Sequence, residues 1–411
     1  MLSLPPSGST STKSDDQMTE AASGLIQGVD HPDSATLADG AGRWPASYIH
    51  LPFCARVCPY CDFAVVSGRD DQIARYVEAV AAEIRREEAW KPLASVYLGG
   101  GTPSRIAPTL IGQLLRALAE HLGIAPGAEV SIEANPEDWT PAVSDQLLSL
   151  GFNRVSFGSQ SFDEAVLAAL GRRHSSDDIA AAVAAARRSG FKSVNLDLIY
   201  GTPGETERGW SETLAHAIDL EPDHVSCYAL TAEPGTELGR AVARGSPGPD
   251  PDLQADFYEM AEERLAASGL IRYEVSNWAR PGHAVRYNLA VWAQSEYLAF
   301  GMGAHRFRRW TRSHNRRLLD GYLEAIENGI SATAGSEAIE GWAAEVERVF
   351  LGIRRVAGVV AGAAGNALMS SDEGQRLAAA GVVELLDGRL VVRRPLITDH
   401  VARSVLALSP P

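Results

Sequence analysis

Cys54, Cys58 and Cys61 fall within eight residues of one another, and the whole chain has only four cysteines. The spacing C-x3-C-x2-C wraps one short loop around one object. Three thiolates can hold three corners of a cubane iron–sulfur cluster and leave one iron without a protein ligand, open to a small molecule. A disulfide would leave one of the three thiols unpaired. Zinc takes four tetrahedral ligands and would need His50, Asp62 or the distant Cys227 as the fourth. The cluster is the favoured reading and zinc the alternative. Cys227, inside an apolar run, reads as a core residue.

A second group, Gly99-Gly100-Gly101-Thr102-Pro103, follows a β-rich run. Three glycines let the backbone approach a ligand closely. The group is neither G-x-G-x-x-G nor a P-loop, since no lysine follows. Alone it fits a structural turn equally well; beside the cysteine loop it becomes a candidate for holding a polar cofactor's amino or carboxylate group. Polar residues recur at or after later β-rich runs: Glu133 and Asn135, Gln160, Arg172-Arg173-His174, and Asp197. Charge in a parallel strand is unfavourable unless it is partnered, because such strands are buried on both faces. Ordinary caps and ion pairs are the bland account; a ligand at the strand C-termini is the functional one.

Positioning those groups requires a regular scaffold. β-rich runs at 47–51, 95–98, 129–134, 154–157, 193–199 and 224–230 alternate with amphipathic helical runs near 71–90, 108–122, 141–149, 163–170, 176–189 and 206–218. Six β/α units imply an α/β fold with a parallel sheet, closing as a partial (β/α)6 barrel or lying flat as a doubly wound sheet. The alternation stops after Leu230. A Gly/Pro-rich linker at 244–253, a helix near 254–268 and an aromatic-rich stretch from Tyr273 to Phe307 follow. Helices and a hairpin around 382–392 suggest a C-terminal α+β, winged-helix-like module. The expected division is a disordered acidic tail at 1–44, a core barrel at 45–240, an extension at 241–335 and the terminal module at 336–411.

The formal net charge of −15 argues against nucleic acid and anionic membrane surfaces as partners. No apolar run approaches the roughly 20 residues of a transmembrane span. Residues 1–44 lack the marks of a secretory or transit signal. A cytoplasmic location, where thiols stay reduced, is expected.

The cysteine motif with Tyr60 before its last cysteine, then Gly-Gly-Gly-Thr-Pro, resembles the radical S-adenosylmethionine superfamily. Tyr48-Ile-His-Leu-Pro-Phe-Cys, Glu133-Ala-Asn-Pro, Gly158-Ser-Gln-Ser, Leu170-Gly-Arg-Arg-His and Asp197-Leu-Ile-Tyr-Gly-Thr-Pro-Gly narrow the likeness to the oxygen-independent coproporphyrinogen III oxidase family. Tyr228-Ala-Leu-Thr-Ala-Glu-Pro-Gly-Thr and Gly301-Met-Gly-Ala-His305 extend it, so that it covers about 45 to 400. The resemblance implies a barrel core in which Cys54, Cys58 and Cys61 bind a [4Fe–4S] cluster whose fourth iron is chelated by S-adenosylmethionine. It assigns contacts with S-adenosylmethionine to Tyr48, Tyr60, Gly100, Gly101, Thr102, Glu133, Gln160, Arg172 and Asp197.

The family's true oxidases resemble C-x3-C-x2-C-x-C, and here Phe63 stands in place of the further cysteine. That is similar to the heme chaperone branch, which implies heme as cargo, heme-accepting proteins and an electron donor as partners, and no assigned catalytic residue. The alternative is oxidative decarboxylation of coproporphyrinogen III. The chaperone branch also carries a His-Asn-x-x-Tyr-Trp signature, which reads Tyr287-Asn288-Leu-Ala-Val291-Trp292 here. Tyr287, His283 and His305 are therefore the candidates to ligate heme iron.

Overall fold

In the β-rich runs one set of alternate residues is mainly apolar and the other mainly polar or aromatic. The run from Ser193 reads Val194, Leu196, Leu198 on one parity and Asn195, Asp197 on the other. A strand reverses its side chains at each residue, so this pattern gives one face to a hydrophobic layer and one to something polar. The computed structural model, which describes residues 45–410, shows that outcome. The expected tail at 1–44 lies outside the described residues.

Six parallel strands, β1 (Ala46–Leu51), β2 (Leu93–Gly100), β3 (Ile124–Ala134), β4 (Arg154–Gln160), β5 (Ser193–Tyr200) and β6 (His224–Ala229), stand side by side in sequence order. A doubly wound sheet would reverse its strand order partway. This sheet does not, so its helices cover one face and the other face curls inward. The outward residues Ile49, Val96, Leu98, Ile132, Phe157, Leu196 and Val225 are buried against the helices. Those helices are α1 (Ile73–Arg86), α2 (Pro108–His121), α3 (Pro141–Ser149), α4 (Glu164–Ala169), α5 (Ser176–Ser189) and α6 (Glu207–Asp219). The inward residues Tyr97, Glu133, Ser156, Asp197 and Tyr228, one from each of β2 to β6, line a single cavity.

Local chemistry sets the helix ends. Ser175 and Asp178 form a reciprocal capping box at the start of α5, and Gly190 closes it with φ of 103°. Thr140 and Thr206 cap α3 and α6 through their hydroxyls. The helix expected over 71–90 stops at Arg86, where Glu87 turns extended.

After β6 the chain thickens both edges of the sheet. Asn277–Ala279 and Ile271–Glu274 add antiparallel strands beside β6. Tyr297–Phe300 pairs parallel with β1 and is extended by His305–Arg308, Thr311–Asn315 and Thr333–Ala338, making twelve strands. The aromatic-rich stretch is thus largely sheet. Its helix, Arg286–Trp292, packs against β1 and β2. Near His283 the buried pair Arg154–Glu129 (3.0 Å) tethers this segment: Arg154 donates to the His283 carbonyl and Glu129 accepts from the Arg286 amide.

Residues 341–406 form an α+β unit with its own core of Val349, Ile353, Leu368, Leu390, Val401 and Val405. Four helices surround a three-stranded sheet whose hairpin joins Val383–Leu386 to Arg389–Val392.

Candidate cluster and cofactor site

The cysteine loop leaves the end of β1 and is pinned at both stems. Phe53–Cys54 pairs in parallel with Val66–Ser67, and the Cys61 amide donates to the Cys58 carbonyl at 3.1 Å. The glycine loop is laced to it: Gly101 N–H donates to Leu51 O at 2.8 Å and Thr102 N–H to Phe53 O at 2.9 Å. A Cβ at Gly101 would lie 2.6 Å from the carbonyl carbon of Pro52. At Gly100, where φ is 113°, it would lie 2.5 Å from the His50 ring. These glycines are required by close approach of the protein to itself. The Gly100 amide is also engaged, donating to Glu133 Oε2 at 2.9 Å.

Cys54, Cys58 and Cys61 are free thiols, half-buried, on one wall of a cavity of about 430 Å³. Thr102 Oγ1 donates to Cys54 Sγ at 3.6 Å, and Arg172 Nη1 to Cys58 Sγ at 3.8 Å. The Thr102 hydroxyl and the Arg172 guanidinium favour the thiolate form of Cys54 without offsetting its burial, which raises its pKa. Burial, with Cys54 and Cys58 close by, likewise pushes the Cys61 thiol up to about 11. An electrophilic metal centre would drive their deprotonation.

Of zinc's possible fourth ligands, Asp62 alone lines the same cavity as the three cysteines. Cys227 faces outward into the helix-side core, and both His50 ring nitrogens are taken, by the Tyr48 hydroxyl (3.1 Å) and the Ala64 carbonyl (2.7 Å). Asp62 is exposed. Among the described residues no three His, Cys, Asp or Glu groups close to the spacing of a single-ion site. Three thiols spread along one cavity wall, with no protein fourth ligand, fit a cluster with an open iron.

The rest of the cavity is polar and rigid. Glu133 accepts from Tyr97 OH at 2.9 Å; burial, with nearby Asp197 adding, pushes its carboxyl up to about 7. Asp197 accepts from Ser156 (2.7 Å) and Asn195 (2.8 Å), and burial raises it too. Arg172 donates to Asn135 Oδ1 at 2.6 Å and to the Gly158 carbonyl at 2.9 Å. Gln160 sits at a register shift of β4 with φ of 63°, an uncommon conformation for a side-chain-bearing residue, which re-aims it at the cavity. Two buried carboxylates suit a cationic ligand bearing ribose hydroxyls, and a guanidinium suits its carboxylate.

Of the residues named from sequence, Cys54, Cys58, Cys61, Tyr60, Gly100, Gly101, Thr102, Glu133, Gln160, Arg172 and Asp197 all line this cavity. Tyr48 lies outside that lining, stacked between Tyr97 (6.1 Å between ring centroids) and Tyr287 (5.8 Å). Sequence reasoning passed over Tyr97, Ser156 and Tyr228, although strict alternation with Val96, Val155 and Cys227 would have turned all three inward. Phe63, 63% exposed, stands on the rim.

The heme ligand candidates separate. Tyr287 is packed in the tyrosine stack, where burial, with Tyr297 adding, holds its phenol well above the usual range. His283 is tied to Ser193 Oγ at 3.2 Å and lies 3.9 Å from Asp223. His305 instead lines a second cavity, of about 500 Å³, between the sheet extension and the C-terminal unit.

Comparison with known proteins shows the family of the chain. The radical SAM superfamily model matches residues 48–217. The heme chaperone HemW of Mycobacterium tuberculosis (strain ATCC 25618 / H37Rv) is 38% identical over 381 residues, covering 90% of this chain and 97% of that one. HemW of Escherichia coli (strain K12) is 34% identical over 304 residues, covering 70% and 78%. The solved structure of coproporphyrinogen III oxidase (HemN) from Escherichia coli, a radical SAM enzyme, shares the fold with a TM-score of 0.75. It is 23% identical, with 92% of this chain and 94% of that chain covered.

Proposed function

Because the chain belongs to the radical SAM superfamily, in the HemW branch of the coproporphyrinogen oxidase-like proteins, we propose that it binds heme and passes it to acceptor proteins. The relatives' name supplies the cargo. The observation that carries the cofactor part is the convergence of three free thiols with Glu133, Asp197 and Arg172 on one cavity.

In this reading Cys54, Cys58 and Cys61 hold three irons of a [4Fe–4S] cluster, with exchangeable S-adenosylmethionine beside it. When bound, that pair supplies one-electron reduction of the sulfonium by the cluster. The chain's own residues do the positioning. Arg172, fixed by Asn135 and the Gly158 carbonyl, faces the thiols and the ligand's carboxylate. Glu133 and Asp197 offset the ligand's positive charge, and in each a neighbouring hydroxyl donor fixes the carboxylate rotamer. Tyr60, Thr102 and Gln160 complete the wall, and Gly100 and Gly101 set its shape. Tyr48 supports Tyr97 from below. Phe63 leaves the rim without a fourth thiol, which favours cargo handling over porphyrinogen oxidation. An external one-electron donor would reduce the cluster, and cytoplasm keeps the thiols available. No helix among the described residues is long and apolar enough to cross a membrane.

The test is anaerobic. Reconstituted protein given S-adenosylmethionine, reductant and coproporphyrinogen III should yield no protoporphyrinogen IX, and hemin-loaded protein should transfer heme to an apo-hemoprotein. Turnover to protoporphyrinogen IX, or failure to take up hemin at all, would overturn the reading.

A further inference from the structure

We propose that the heme site is the second cavity, between the sheet extension and the C-terminal unit, with His305 as the axial ligand. This rests on the heme-chaperone reading and goes beyond it by assigning place and ligand.

Four observations carry it. The cavity, of about 500 Å³, is in the range of organic cofactor sites (about 300–1,000 Å³). Its walls are mainly apolar, from Val291, Phe307, Phe350 and Leu351, as a porphyrin face requires. His305, an exposed residue, is the only histidine in that lining, and among the described residues its ring makes no hydrogen bond. It stacks on His314 across the hairpin, with centroids 5.2 Å apart and planes 23° apart, which fixes the ring without occupying either nitrogen.

The cavity also holds an answer to the porphyrin's propionates. Arg312 pairs with Glu347 at 2.6 Å through Nη2, but its Nη1 reaches Glu337 only at 3.7 Å, and Glu337 is exposed. That loose pair can give way to a propionate at little cost, because exposed ion pairs contribute about 0–1 kcal/mol. The place where the chaperone branch carries its signature borders the same space. Val291, at the position of that signature's tyrosine, lines the cavity, whereas Tyr287, at the position of its histidine, is buried in the stack. His305 therefore takes over a ligand role that Tyr287 cannot reach without leaving the tyrosine stack.

The full-length protein is titrated with hemin and followed by its Soret band, alongside His305→Ala, His305→Met and Phe63→Asp. Wild type is expected to give a histidine-ligated ferric spectrum. His305→Ala should weaken binding by at least about tenfold, with added imidazole restoring the band, and His305→Met should shift both the band and the heme reduction potential. Imidazole rescue separates loss of a ligand from loss of fold. If wild type takes up no hemin, the chaperone reading itself fails. If wild type binds but the His305 variants match it in affinity and spectrum, the assignment is overturned and the reading stands. Loss of binding in Phe63→Asp alone would also overturn it, by moving the cargo to the barrel rim.

Discussion

At the mouth of the barrel, strand ends from the whole parallel sheet deliver thiols, carboxylates and a guanidinium into about 430 Å³, each held by named donors. Beneath the C-terminal unit, about 500 Å³ is lined mainly by aliphatic and aromatic side chains, with one imidazole that makes no hydrogen bond and an arginine paired to Glu347. The first cavity stores electrostatic cost. Glu133 and Asp197 stand half-buried on one wall, and Asp197 adds to the burial that raises the pKa of Glu133, an arrangement that lowers folding stability until a cation arrives. The second cavity stores none of that, and its walls are what an apolar ligand would cover. A pre-organised polar site fits a small charged cofactor, and an apolar cleft between two packed units fits a flat, exchangeable cargo. Tyr287 stands between them, stacked on Tyr97 of the first cavity (5.4 Å) and edge-on to Tyr297 of the second (5.8 Å).

The largest effect that would sharpen this contrast comes from the thiols. Replacing Cys54, Cys58 and Cys61 with alanine should abolish iron and sulfide uptake after anaerobic reconstitution, measured chemically and by the visible spectrum. The fold should survive, since all three side chains lie on a cavity wall and none in the core. Retained stoichiometric iron would place the cluster elsewhere and erase the distinction between the cavities.

Next in size is the pH response of Glu133. Its folded pKa of about 7 is raised, so the folded state binds the proton more tightly than the unfolded chain. Its stabilising contribution is complete below the unfolded value and is lost as pH rises from about 4.5 to 7, by about 3 kcal/mol at most. A cationic ligand needs the ionised form. S-adenosylmethionine should thus bind about tenfold more weakly at pH 6 than at pH 8. Glu133→Gln should bind it weakly at both values, yet melt higher than wild type at pH 8. A pH-independent affinity in wild type would show that Glu133 does not face the ligand's charge.

Smaller still is Gly101→Ala. The added methyl meets the Pro52 backbone at 2.6 Å, and neither loop can give way without breaking the Gly101–Leu51 and Thr102–Phe53 hydrogen bonds. A cost of about 1–3 kcal/mol is expected, read as a lowered Tm, together with reduced cluster occupancy. Normal occupancy at lowered Tm would show that the glycine loop supports the fold but not the thiols.

Legibility in sequence divides along the same line. The first cavity was readable because parallel strands bury one face against helices, so polar residues on the alternate parity have to converge. Asp197 between Leu196 and Leu198 is such a case. Barrel against doubly wound sheet was not readable, because strand order is a tertiary fact that local alternation does not encode. The glycines were recognised, but their main reason was missed: Gly100 and Gly101 make room for His50 and Pro52. The second cavity had no local signal. Its residues come from a short helix, three strands of the sheet extension and a separate unit, and only their packing makes a space.

The finest test acts on the wall between the cavities. Tyr287 occupies the position of the chaperone branch's histidine, and its role here is packing: three tyrosine rings surround it and its hydroxyl has no hydrogen-bond partner among the described residues. Tyr287→Phe keeps the ring and should change stability by no more than about 1 kcal/mol, leaving the hemin spectrum as it was. Tyr287→His removes a large ring from the stack and forfeits aromatic contacts of about 0.5–1.5 kcal/mol each. It should lower Tm without raising hemin affinity, since the new imidazole would face Tyr48 and Tyr97 rather than the cavity that holds His305. A gain of heme binding in Tyr287→His would mean that the stack opens to cargo, and the two cavities would then have to be treated as one.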